Sequence, residues 1–92
     1  MDLGRWGAAY IAMPGHTGLY GPQGTGLLLC GPGQRPEALL EGGTGSLSRQ
    51  QDMPDFLPDR LEAGTQNVHG AAGLLAGLRF VRSLGLERIA AQ

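Results

Sequence analysis

The sequence predicts an α/β fold of which these 92 residues supply one part. Three observations carry that reading. Two short apolar runs, 8–12 and 27–30, each end in a turn of proline and glycine, the mark of strands that enter loops. A glycine-rich stretch from Gly15 to Gly26, "GHTGLYGPQGTG", joins them. Residues 67–84 then repeat apolar side chains at helical spacing. Two strands, one clear helix and a long loop do not close a core, so the chain reads as a piece of a larger domain.

Taken in order, Asp2 to Trp6 reads as the tail of a helix, with Trp6 as a packing residue. Ala8-Ala9-Tyr10-Ile11-Ala12 is a buried strand stopped by Met13-Pro14-Gly15, and Leu27-Leu28-Leu29-Cys30 is another, stopped by Gly31-Pro32-Gly33. Pro36 followed by Glu37-Ala38-Leu39-Leu40 predicts one or two helical turns, with proline near their start. From Glu41 to Gln66 no period holds, and Pro54 and Pro58 with many polar residues predict a long loop. Asn67 can cap the helix that follows, whose apolar face is Leu74, Leu75, Leu78 and Val81. Gly70, Gly73 and Gly77 fall on another side of it, where a neighbouring backbone could approach closely. Gly85 stops that helix, and Leu86 to Ala91 begin a further one.

Composition narrows the function classes. Glycine supplies 17 of 92 residues, or roughly 18% against about 7% in ordinary proteins, a costly choice for an independent core. A formal charge of −1 gives no basic excess for nucleic acid, so no nucleic-acid partner is expected. No apolar run approaches the ~20 residues of a membrane span, and no membrane partner is expected. The single Cys30 excludes an internal disulfide and a cysteine zinc cluster, and no metal site is expected. A cytoplasmic location follows from the same features. All seven basic residues are arginine, and the chain contains no lysine.

Chemistry concentrates in the glycine-rich stretch. A glycine-rich stretch between strands reads first as a plain turn; its backbone N–H groups can also approach an anion, and His16 or Thr17 can add a side-chain donor, so "PGHTG" and "GPQGTG" could cradle a phosphate. The stretch is not a P-loop, because it lacks the Gly-Lys-Ser/Thr ending. Nor is it a dinucleotide fingerprint, because a strand rather than a helix follows. His69 near the helix start reads as a solvated residue. Asp52, Asp55, Asp59 and Glu62 read as a solvated loop without a supported carboxylate pair.

The order of motifs, "GHTGLYGPQGTG", "EGGTGS", "MPDFLPDRLEAGTQNVHGAAGLLAGLRFV" and "LGLERI", resembles class V aminotransferases, and among them the cysteine desulfurases, which use pyridoxal phosphate. The likeness covers nearly all of the chain. It implies an aspartate-aminotransferase-like fold, with residues 1–92 a segment of the large cofactor-binding domain. It also implies a homodimer, an amino-acid substrate, and removal of sulfur from cysteine to give alanine. On this likeness His16 matches a histidine that helps hold the cofactor phosphate. Thr65, in Glu62-Ala63-Gly64-Thr65, matches a threonine that reaches the phosphate of the other subunit. Gly21, Pro22, Gly24 and Gly26 match a loop forming the floor of the site.

The departures from the family pattern are specific. Thr17 stands at the position of the lysine that bonds pyridoxal phosphate as a Schiff base, and that bond needs a primary amine. No catalytic residue is therefore assigned, and covalent attachment of the cofactor is not expected. Pro14 replaces a serine or threonine, and Gln66 replaces a proline. The family's aspartate for the pyridine nitrogen, its ring-stacking residue and its substrate-binding arginine have no counterparts. Cys30 does not match the sulfur-accepting cysteine and reads as an inert strand residue. The chain alone is expected to be inactive. Two alternatives are a non-catalytic truncated or decayed family member, and a small phosphate-ligand or interaction module.

Overall fold

A computed structural model describes residues 2–92. The chain divides into two compact units, one formed by the residues up to Gln34 together with Val68–Gln92, the other by Arg35–Asn67.

The first unit opens with a single helical turn, α1 (Leu3–Trp6). It is not the tail of a longer helix: Asp2 caps it, its carboxylate accepting from the Arg5 N–H at 3.2 Å. Gly7, at φ 67°, closes the turn, and the Ala8 N–H donates to Leu3 O. Because Ala8 finishes this cap, the first strand starts two residues later than the apolar run suggests. Trp6 is exposed rather than packed.

Strand β1 (Tyr10–Pro14) pairs antiparallel with β2 (Gly26–Cys30), placing Ile11 opposite Leu29 and Met13 opposite Leu27. Those four side chains are half-buried on one face, whereas Tyr10, Ala12 and Leu28 are exposed on the other. The strands are therefore not the buried ones expected, because within the unit only one face of the ladder is covered. Pro14 is tolerated at the strand end, where its missing N–H interrupts nothing further along the ladder.

Helix α2 (Val68–Leu84) starts directly after Asn67, as the capping signal predicts. Its buried positions are Gly70, Leu74, Gly77 and Val81, a stripe spaced four, three and four residues apart. This corrects two expectations. Leu75 is 48% exposed and lies off the stripe, and Gly70 and Gly77 share the apolar face rather than occupying a separate one. The cause is the connection between the strands, which lies on that face. A Cβ at Gly77 would overlap Leu19 O and stand 2.6 Å from Tyr20 O. A Cβ at Gly21 would stand 2.7 Å from Leu74 Cδ1. Tyr20, held at φ 56°, sets its ring edge-on to Phe80 with centroids 5.5 Å apart. Gly85, at φ 83°, ends α2, and α3 (Leu86–Ala90) follows as expected.

In the second unit the predicted turns at 36–40 do not form. Leu39 is 96% exposed, and the Pro36 carbonyl accepts from Arg60 Nε at 3.3 Å instead of serving a helical ladder. An isolated turn has too few hydrogen bonds to offset the cost of nucleation. Among the described residues of this unit the only helical turn is a 3₁₀ turn at Asp59–Leu61. The rest of the long loop is ordered by side chains. Arg60, with its side chain 18% exposed, also donates to Glu37 Oε2 at 3.0 Å and to Asp55 Oδ1 at 3.5 Å. Thr44 is buried, and its Oγ1 accepts from the Leu47 N–H at 3.1 Å. The Gly64 N–H donates to Gly43 O at 2.7 Å, tying the two ends of the loop together.

Two outcomes follow from this packing. Alanine raises helix propensity by up to ~1 kcal/mol over glycine, yet Gly77→Ala should lower the stability of α2 by about 1–2 kcal/mol net, because it displaces the loop backbone. Denaturant titration followed by far-ultraviolet circular dichroism checks the sign, and a gain in stability would refute the close approach. Arg60→Ala should loosen the Gly64 amide by about tenfold in hydrogen exchange while leaving α2 amides unchanged. Equal losses in both units, or none, would show that Arg60 does not organise the loop.

Candidate functional site

The residues singled out by the sequence lie mainly on the connection between β1 and β2. Its shape is set by a few bonds. The Gly15 N–H donates to Thr25 O at 2.8 Å and the Gly21 N–H to Gly15 O at 2.7 Å, which closes the base of the loop. The Tyr20 N–H donates to Thr17 O at 3.1 Å, forming a tight turn over Thr17–Tyr20. Thr25 Oγ1 donates to Pro22 O at 2.7 Å and folds the second half onto itself.

Those bonds leave a defined donor set. The N–H groups of His16, Gly18 and Leu19 make no hydrogen bond among the described residues, and the His16 side chain is exposed. Unbonded peptide N–H groups and an exposed imidazole in one short loop are donors of the kind that bind a phosphate or carboxylate. It does not suit a covalent bond. Thr17 is exposed, and its hydroxyl donates to Pro14 O at 3.4 Å. An arginine guanidinium stays protonated and cannot replace a lysine amine, and all seven basic side chains here are arginine. The loop therefore offers donors for an anion and no amine for an aldehyde.

Thr65 belongs to the second unit, whereas His16 and Thr17 are neighbours on the loop of the first. It is exposed at a bend made by Gly64, at φ 94°, and Gln66 Nε2 donates to Glu62 O at 3.5 Å. His69 is exposed, as expected for a solvated residue. Cys30 is half-buried and free.

The acidic residues are better supported than a solvated loop implies. Asp55 Oδ1 faces Arg35 at 3.7 Å and Arg60 at 3.5 Å, and the Ser46 hydroxyl contacts the Asp59 carboxylate. Asp59, Glu62, Ser46, Thr44 and Gln66 line a cleft of about 280 Å³ within the second unit. The sequence gives little signal for it, because Thr44 and Ser46 are 13 or more residues from Asp59 and no period links them. Among the described residues no three His, Cys, Asp or Glu side chains converge as a metal site. No helix among them is long and apolar enough to cross a membrane.

The sequence model of the Aminotransferase class-V family matches residues 1–92. A probable cysteine desulfurase of Methanothermobacter thermautotrophicus is 39% identical over 95 residues, covering 97% of this chain and 23% of that protein. A probable cysteine desulfurase of Mycolicibacterium paratuberculosis is 36% identical, covering 99% of this chain and 14% of its own length. A cysteine desulfurase of Klebsiella pneumoniae is 37% identical, covering 98% of this chain and 23% of its own length. The chain thus spans a quarter or less of these curated relatives, and no solved structure matches it. With a match along its whole length and relatives of this similarity, the chain belongs to the class V aminotransferase family and resembles its cysteine desulfurases.

Proposed function

We propose that residues 1–92 are a segment of the large domain of a desulfurase-like protein, contributing a non-covalent wall of a pyridoxal-phosphate site. The His16 side chain and the N–H groups of His16, Gly18 and Leu19 contact the cofactor phosphate, and Thr65 contacts the phosphate of the other subunit in a homodimer. The setting is cytoplasmic and the substrate an amino acid of the cysteine type. The chain itself is non-catalytic. When bound, pyridoxal phosphate supplies an electron sink for bonds at the amino-acid α-carbon. The residues present orient its phosphate only.

The observation that carries this reading is the set of unbonded N–H groups of His16, Gly18 and Leu19 with exposed His16, in a loop whose base is closed by its own bonds. The alternative of a small phosphate-binding module rests on the same donors.

Titration of the isotope-labelled chain with pyridoxal phosphate should move the amide signals of residues 16–19 and the His16 ring. His16→Ala should weaken the binding by about tenfold, the effect of losing one charge-assisted hydrogen bond. Cysteine should yield no alanine above the rate with free cofactor. Shifts elsewhere with none in the loop would overturn the site, and alanine formed by the chain would overturn its non-catalytic character.

A further inference from the structure

We infer that the loop at 15–26 does not select the aldehyde form of its ligand: it takes pyridoxal phosphate and pyridoxamine phosphate alike. This rests on the proposed reading of the loop as a wall of a pyridoxal-phosphate site. A site with a lysine favours the aldehyde because the amine nitrogen attacks the carbonyl carbon and water leaves, adding a covalent term that other forms of the ligand lack. Position 17 offers a hydroxyl, and that hydroxyl already donates to Pro14 O at 3.4 Å. Pro14 has no side-chain donor and no N–H to offer in its place. The 92 residues contain no side-chain amine at all, since their basic groups are seven guanidinium ions.

What remains at the loop is recognition that both ligands share. The N–H groups of His16, Gly18 and Leu19 and the exposed His16 imidazole suit an oxyanion, and both ligands carry the same phosphate monoester. The loop is also held independently of any ligand. Gly21 N–H bonds to Gly15 O at 2.7 Å, and the Leu19–Tyr20 backbone rests on Gly77. The donor set therefore persists without the covalent bond.

The test compares the full chain, with its N-terminal amine acetylated, against pyridoxal phosphate, pyridoxamine phosphate and dephosphorylated pyridoxal. Calorimetry or amide shifts give the affinities. The two phosphates should bind within about threefold of each other and both should be displaced by inorganic phosphate, whereas pyridoxal without phosphate should not bind. Borohydride should fix no label to the chain. In Thr17→Lys the Nζ can attack the aldehyde with loss of water, and borohydride then reduces the resulting carbon–nitrogen double bond. That variant should prefer pyridoxal phosphate by tenfold or more and carry a label at position 17 alone. An aldehyde preference of tenfold or more in the unmodified sequence would overturn the inference while leaving the cofactor site standing. Binding of neither phosphate would instead overturn the proposed site. Should Thr17→Lys fail to fold, the comparison in the unmodified sequence decides the point by itself.

Discussion

The first unit depends on one close approach: the peptide backbone at Leu19 and Tyr20 resting on the surface of α2 at Gly77. Any side chain there would meet two carbonyl oxygens. The approach sets the rest in sequence. It brings Gly21 against Leu74 and Tyr20 beside Phe80, and it gives the buried stripe of α2 its mixture of glycine and leucine. With so few apolar side chains buried, fit between backbones takes over part of the role that a thicker core plays elsewhere. The glycine content, costly in chain entropy, is the condition for that fit.

The second unit is organised differently. Arg35–Asn67 has almost no regular structure, and its order comes from polar side chains that satisfy backbone groups. Arg60 serves a carbonyl and two carboxylates, and buried Thr44 serves an amide. The ion pairs with exposed carboxylates add little by themselves, so the carbonyl bond and the covered stem of Arg60 matter more. Charged residues that look merely solvated in the sequence are here the means by which a long loop holds one shape.

Kinship and chemistry rest on different features of this chain, which carries a threonine at position 17 and no lysine. The loop keeps the geometry that its glycines specify, and the chain belongs to the class V aminotransferases along its whole length. A fold is maintained by many contacts, each worth little, whereas a covalent bond to a cofactor depends on one amine. Family membership is therefore read from the whole chain, whereas an imine would need an amine that these 92 residues do not supply.

Much was legible from local pattern alone. The two strands, the turn chemistry between them, the start of α2 after Asn67 and its stop at Gly85 all follow from period and from residues that end or begin elements. The motif order carried the family, and the lysine count carried the limit on chemistry. What the sequence alone could not decide were choices made by contacts distant in the chain. Leu75 and Gly77 exchanged the expected roles because a loop some 57 residues away lies on the glycine, as the spacing from Tyr20 to Gly77 shows. Residues 36–40 gave up a helix because Arg60 takes the Pro36 carbonyl. Helical period says which residues share a face, but only the neighbour that covers the face decides which of them are buried.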